Sequence, residues 1–261
     1  MLRGIHGGEA RVLREDFCGT AAVSRRWCME GKTRRDDARA LGVDLDGETL
    51  AKGLALAREE GVAERMVLVR GDVLAGDAAR PGDGPWHPST SGPLHPDIIW
   101  VGNFSIGYIY ERAGLVAYLK ASRERLMLGN GGFGGGVFVC DLYGGAGAFR
   151  LGSLDRTHMG RGNEVIKYHW EHEEADAASG MVVNSISFRV IVDGEVAAEW
   201  PRAFVYRWRL WGLAELREAM AEAGFVDVSV YKEVNLAPGE RPVEAGELGE
   251  DWIVMVAGRA G

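Results

Sequence analysis

Residues 13–23 read LREDFCGTAAV, a stretch that begins as the end of a buried strand and finishes as the start of a helix, with one glycine between them. A turn of this kind points backbone amides and a helix N-terminus at whatever lies above it. Read alone, Gly19 is equally well explained as turn geometry. The surroundings decide. Strand 11–15 is followed by a helix from about Thr20 to Glu30, a strand from Ala40 to Asp44, and Leu50, Leu54 and Ala57 at helical spacing up to Gly61. MVLVR at 66–70 and DIIWV at 97–101 are further strands; Leu115, Leu119, Ser122 and Leu126 mark a helix face, and GVFVCDL at 136–142 is a fifth strand. Such alternation predicts a parallel sheet with crossover helices, an α/β protein.

The pattern then changes. EVIKYHWEH (164–172), MVVNSISFRVIVDGE (181–195) and WPRAFVYRWRL (200–210) are extended with no helix among them, which predicts an antiparallel β-meander over 165–210 turning at Asp193 and Gly194. A helix on Leu213, Leu216, Met220 and Ala223, then FVDVSVY and DWIVMVAG, returns to the first pattern, giving seven strands outside the meander. A chain of 261 residues is long enough for one sizeable core, so a single domain over 1–261 is expected. The meander would cover the substrate side or form an interface, such as that of a homodimer, because it is rich in Tyr and Trp.

Composition excludes several classes of function. The net charge of −8, without a basic cluster, disfavours nucleic acid. No apolar run approaches the ~20 residues that span a bilayer, so a cytoplasmic protein is expected. Cys18, Cys28 and Cys140 lie in apolar stretches at no metal-ligand spacing and are expected to be reduced and packed.

Parallel strands place ligands at their carboxyl ends. Asp44 closes the second strand twenty-five residues beyond Gly19, where an acid accepts hydrogen bonds from the two hydroxyls of a ribose, although Asp44 or Asp46 could serve only to cap the next helix. Asp46 sits closer to that first turn. Asp72 closes the third strand, where it could take an adenine amino group or form an Asx-turn. Together the three strand ends describe an adenosine-shaped site.

With these residues in place the chain resembles the class I S-adenosylmethionine-dependent methyltransferases. Their first motif is an acid followed by alternate glycines, and EDFCGTA aligns with Glu15 as the acid and Gly19 as the central glycine, while Phe17 and Ala21 stand at the outer glycine positions. LREDFCGTA with GVDLD also resembles a bacterial branch in which this variant recurs, and LWGLAELREAMAEAGF resembles the family's late helix. The resemblance implies a Rossmann-like seven-stranded mixed sheet with the last strand antiparallel and helices on both faces. It implies S-adenosyl-L-methionine as cofactor, held by Glu15, Phe17, Cys18, Gly19 and Thr20, then Asp44 and Leu45, then Gly71, Asp72 and Val73, then Asn103 and Phe104. The implied reaction is methyl transfer to N or O of a small-molecule acceptor. Should a base be needed, Tyr108, His169 and Tyr206 are the candidates, with Ser105 and Arg209 further possible lining residues.

Other assignments compete. A non-catalytic protein binding S-adenosylmethionine or S-adenosylhomocysteine uses the same site, and a nicotinamide-dependent oxidoreductase uses the same sheet but wants a richer glycine pattern. GNGGFG (129–134) matches a dinucleotide fingerprint, yet it follows a helix and precedes a strand, the reverse of the required order. His169 and His172, with Glu171, Glu173 and Glu174 nearby, suggest a metal, but positions three apart on a strand face opposite sides, so no metal is expected. The Pro- and Gly-rich loop 75–96, which includes GPLHP, is expected to be decoration or a cover for a site left open by the short start of the chain.

Overall fold

The computed structural model describes residues 1–75, 95–129, 135–232 and 242–261, so nearly all of loop 75–96 and of GNGGFG lies outside the described residues. The chain opens with a short helix α1 (Leu2–His6), then β1 (Val12–Asp16), α2 (Ala22–Arg34), β2 (Arg39–Asp44), α3 (Gly47–Glu59), β3 (Met66–Arg70) and β4 (Ile98–Val101). A 3-10 turn, Ser105–Tyr108, precedes α4 (Arg112–Arg125) and β5 (Val137–Gly145). Four long strands follow, β6 (Gly152–Met159), β7 (Glu164–Asp176), β8 (Met181–Val192) and β9 (Glu195–Arg209), and α5 (Leu213–Glu222), β10 (Phe225–Tyr231) and β11 (Asp251–Ala260) complete the chain.

Seven strands form one sheet in the order β10-β11-β5-β4-β1-β2-β3. β1, β2, β3, β4 and β5 are mutually parallel, and β11 runs antiparallel to both β5 and β10. β4 (IIWV) is buried along its whole length, as is β5 from Val137 to Leu142, because helices cover both faces of a parallel sheet. One core layer joins the sheet to α4 and α5 through Leu115, Leu119, Leu216 and Met220; the other joins it to α1, α2 and α3 through Ile5, Trp27, Leu50 and Ala57. Chain order reverses between β1 and β4, so the switch point that opens a crevice lies at their carboxyl ends.

β1 breaks the apolar rule. Arg14 and Asp16 are both buried, and they stand only because each is partnered: Arg14 Nε donates to Asp16 Oδ1 at 2.7 Å, and the Tyr118 hydroxyl donates to Asp16 Oδ2 at 2.8 Å.

The meander is a separate four-stranded antiparallel sheet in the order β6-β7-β8-β9. It has one strand more than the sequence suggests, since Gly152–Met159 is exposed at every position and carries no alternating apolar pattern. Its inner end is fastened to the larger sheet. The Tyr110 hydroxyl donates to the Arg207 carbonyl at 2.9 Å, Trp211 Nε1 donates to the Ile109 carbonyl at 3.1 Å, and Trp208 lies so close to Gly107 that a Cβ there would sit 2.8 Å from it. The outer end leaves Trp200 and Phe204 about half exposed.

Candidate functional site

The loop after β1 begins with the backbone. Phe17 has φ 55°, Gly19 φ 52° and Ala21 φ 54°, so every alternate position takes the left-handed conformation. Glycine adopts it freely, whereas an L-residue loses about 1–2 kcal/mol. Phe17 and Ala21 therefore follow the path that glycines would follow, under strain. The Cys18 carbonyl accepts from the Ala21 amide at 2.7 Å, and the Cys18 amide donates to the Val43 carbonyl at 3.0 Å, which fixes the turn. Cys18 itself is packed against Gly42, and burial pushes its thiol far above the usual range, so it is an inert packing group. Cys28 and Cys140 are likewise free and buried.

Glu15 faces the helix. Its Oε2 accepts the Ser24 amide at 2.7 Å, taking one of the orphan donors of α2, whose N-cap Ala21 has no side chain to do so. Burial pushes its carboxyl up to about 7, against the pull of the Ser24 and Val23 hydrogen bonds and the Arg25 charge. Thr20 is half-buried, and its carbonyl rests on α3 at Gly53, where a Cβ would meet it at 2.7 Å.

Asp44, at the end of β2, ties two loops together. Oδ2 accepts the Gly19 amide at 2.7 Å and Oδ1 accepts the Asp46 amide at 2.9 Å. The capping alternative belongs to Asp46, whose Oδ1 accepts the amides of Glu48 at 2.9 Å and Thr49 at 3.3 Å. Asp44 is half-buried and keeps lone pairs on both oxygens, and beside it the apolar Leu45 side chain is 63 % exposed. Asp72 forms the Asx-turn, its Oδ1 accepting the Leu74 amide at 2.9 Å, while Gly71 donates to the Asp44 carbonyl at 2.9 Å and Val73 is buried.

After β4, Asn103 and Phe104 are two successive left-handed residues, both at φ 56°. Their amides converge on one carboxylate, Asp141 at the end of β5, with Asn103 N 2.9 Å from Oδ2 and Phe104 N 2.6 Å from Oδ1. Burial pushes Asp141 up to about 6, while the two amides pull it down. Among the described residues, four of the seven non-glycine residues with positive φ thus lie on the two loops at the switch point. Strain of this kind collects where geometry serves a ligand.

Rings run from these loops into a cavity. Phe17 and Tyr108 are near-parallel with centroids 6.2 Å apart, Tyr108 lies 6.2 Å from Trp208, and Tyr206 stacks on Trp208 at 4.6 Å. Phe104 meets Tyr143 at 4.8 Å. A cavity of about 680 Å³, within the range of small-molecule sites, is lined by Asn103, Phe104, Tyr143, His172, Tyr206 and Trp208 among others. It lies between the second sheet and the ends of β5 and β11. Ser105 is buried in the turn between these groups, and Arg209 pairs with Glu215 and donates to the Tyr110 carbonyl, away from the cavity.

The proton-transfer candidates divide. Tyr108 and Tyr206 come together, and the Tyr206 phenol hydrogen-bonds the Asn103 side chain. Burial, reinforced by the Tyr206 charge, pushes Tyr108 up to about 12, and burial raises Tyr206 as well, so both are phenols at neutral pH and donors rather than bases. His169 is not brought into this group. It faces the other side of the sheet, with Nδ1 2.9 Å from Asp155 Oδ1, and lines a different, outer cavity. The alternation that separates the two histidines puts His172 inside instead: its Nδ1 lies 3.0 Å from the Arg150 carbonyl, so the donor is there and Nε2 is an acceptor. Burial holds its pKa below the usual range, leaving it neutral. His172, Asp141, Tyr143 and Trp208 are site residues that sequence patterns did not single out for the site. For Asp141 the available signal was a carboxylate in the otherwise apolar strand GVFVCDL. Among the described residues no group of three or more His, Cys, Asp or Glu could hold a metal.

The sheet order, the antiparallel last strand and the left-handed loop define the fold of S-adenosylmethionine-dependent methyltransferases. The solved structures similar to the chain over nearly its whole length include three methyltransferases. A S-adenosylmethionine-dependent methyltransferase from Clostridium acetobutylicum ATCC 824 has 19% identity and a TM-score of 0.66, covering 98% of this chain and 86% of that one. The sugar N-methyltransferase KedS8 from Streptoalloteichus sp ATCC 53650 has 18% identity and a TM-score of 0.60, covering 99% and 83%. CalS10 with SAM bound, an amino pentose methyltransferase from Micromonospora echinaspora, has 16% identity and a TM-score of 0.63, covering 99% and 86%. No family model and no curated protein matches the chain. Among the described residues no helix is long and apolar enough to cross a membrane.

Proposed function

We propose that the protein is a methyltransferase that uses S-adenosyl-L-methionine to methylate an N or O atom of a small molecule. One observation carries this: the loop 17–21, the half-exposed Asp44 and the aromatic cavity meet at one switch point, so a nucleoside site and an acceptor site adjoin. The residues present fit the cofactor. Asp44 has acceptor capacity for ribose hydroxyls, the exposed Leu45 gives an adenine an apolar surface, and Phe17, Gly19 and Asn103 border the crevice. S-adenosylmethionine, when bound, supplies an electrophilic methyl on its sulfonium. What this chain adds is alignment and exclusion of water, through the rings of Tyr108, Tyr206 and Trp208 and the cover formed by the second sheet. Tyr206 acts as a phenol donor that orients the acceptor, and the neutral His172 offers a proton acceptor on the same cavity wall. Sugar and amino-sugar acceptors of the structural neighbours favour a compact polar acceptor here.

Titration calorimetry with S-adenosylmethionine, S-adenosylhomocysteine and NAD tests the reading. Binding of both adenosyl compounds is expected; binding of NAD alone overturns it. Methyl transfer to a panel of amines, phenols and sugars separates a catalyst from a protein that only binds.

A further inference from the structure

We infer that the Phe17 and Tyr108 rings form a charge-selective wall that meets the sulfonium end of S-adenosylmethionine and favours it over the uncharged thioether product. The inference rests on the cofactor reading above and assigns these two residues a specificity role. Their placement carries it. Phe17 is the first residue beyond β1 and Tyr108 ends the 3-10 turn beyond β4, so the pair stands at the switch point itself. On one side lie Gly19 and Asp44, joined by a 2.7 Å hydrogen bond; on the other, Trp208, 6.2 Å from Tyr108, lines the cavity. A methyl group passing from a nucleoside held at Asp44 to an acceptor in the cavity crosses the seam that these rings occupy.

Three carboxylates of these loops are engaged elsewhere. Glu15 accepts the Ser24 amide, Asp16 is held by Arg14 and Tyr118, and Asp141 accepts the amides of Asn103 and Phe104. Asp44 is the carboxylate with acceptor capacity left, and its charge reaches Tyr108. Between it and the cavity stand the rings of Phe17 and Tyr108, whose quadrupole attracts a cation and not a neutral thioether. Replacing the rings while Asp44 stays in place isolates their share. A large aromatic also stands where glycine would sit without strain, at φ 55°, which turns its ring toward Tyr108.

The test is calorimetry with S-adenosylmethionine and S-adenosylhomocysteine on the wild type and on Phe17→Leu, Tyr108→Leu and Tyr108→Phe. Leucine keeps apolar volume without a π face, and Tyr108 is 37% exposed, so its replacement leaves the core intact. Each leucine variant is expected to lose about fivefold in affinity for S-adenosylmethionine while affinity for S-adenosylhomocysteine changes by less than about twofold. Tyr108→Phe should keep the wild-type preference. An unchanged ratio of the two affinities in both leucine variants overturns the wall, and so does an equal loss for both ligands. If the wild type binds neither compound, the cofactor reading fails first, a different outcome from a ratio that does not move.

Discussion

Replacing Glu15 with glutamine should make the protein more stable, by an amount that grows with pH. The Glu15 carboxyl is buried, and its pKa rises from an ordinary 4.5 to about 7 because burial penalises the anion. Below about pH 4.5 both folded and unfolded chains hold the proton, and the group costs nothing. Between pH 4.5 and 7 the unfolded chain releases its proton and the folded chain keeps it, so stability falls as pH rises. A span of two and a half pH units at ~1.4 kcal/mol per unit gives a loss of ~3 kcal/mol, complete a little above pH 7. Glutamine never ionises, and its Oε1 can still accept the Ser24 amide that Glu15 Oε2 accepts at 2.7 Å. Glu15→Gln should therefore match the wild type near pH 4.5 and exceed it by ~3 kcal/mol at pH 8, roughly 6–12 °C in Tm for a chain of this size. Scanning calorimetry at four pH values between 4.5 and 8 reads the difference. A gap that stays constant across that range would refute desolvation as the cause.

Three further outcomes follow from the same loops. Asp44→Ala should weaken S-adenosylmethionine binding at least tenfold, since charge-assisted hydrogen bonds of ~1.5–3 kcal/mol are lost; unchanged affinity by calorimetry would mean the ribose lies elsewhere. Asp141→Ala strips the Asn103 and Phe104 amides of their shared acceptor and should cost ~2–4 kcal/mol in urea unfolding, whereas a cost below ~1 kcal/mol would show that the loop holds its shape unaided. Gly53→Ala brings a Cβ to 2.7 Å from the Thr20 carbonyl oxygen, which is backbone and cannot swing away. The expected overpacking loss of ~1–3 kcal/mol outweighs the ~1 kcal/mol that alanine adds to a helix, and a more stable variant in urea would contradict the close approach.

Much of this molecule is local in origin and is therefore legible in the sequence. Apolar runs such as IIWV and the spacing of Leu115 and Leu119 depend only on periods of two and 3.6 residues, which set the order of strands and helices. The same period of two separates His169 from His172. Acids at successive strand ends, Asp44 above all, mark one edge of the sheet because parallel strands point the same way. Which face of the second sheet turns inward is not local. It depends on where β9 lands on the turn 105–108, through Trp208 against Gly107, and this contact puts Tyr206 and His172 inside and His169 outside. Strand β6 has no apolar pattern to announce it, since pairing with β7 alone makes it a strand. Nor does a sequence show that Phe17 and Ala21 follow a glycine path. Their φ values are held by hydrogen bonds from Cys18 to Val43 and from Gly19 to Asp44, and those partners lie about twenty-five residues away along the chain. The sequence by itself determined the elements and the edge at which to search. Tertiary structure alone decided the faces, the strained loops and the carboxylate Asp141 that clamps one of them, because each depends on contacts between residues far apart in the chain.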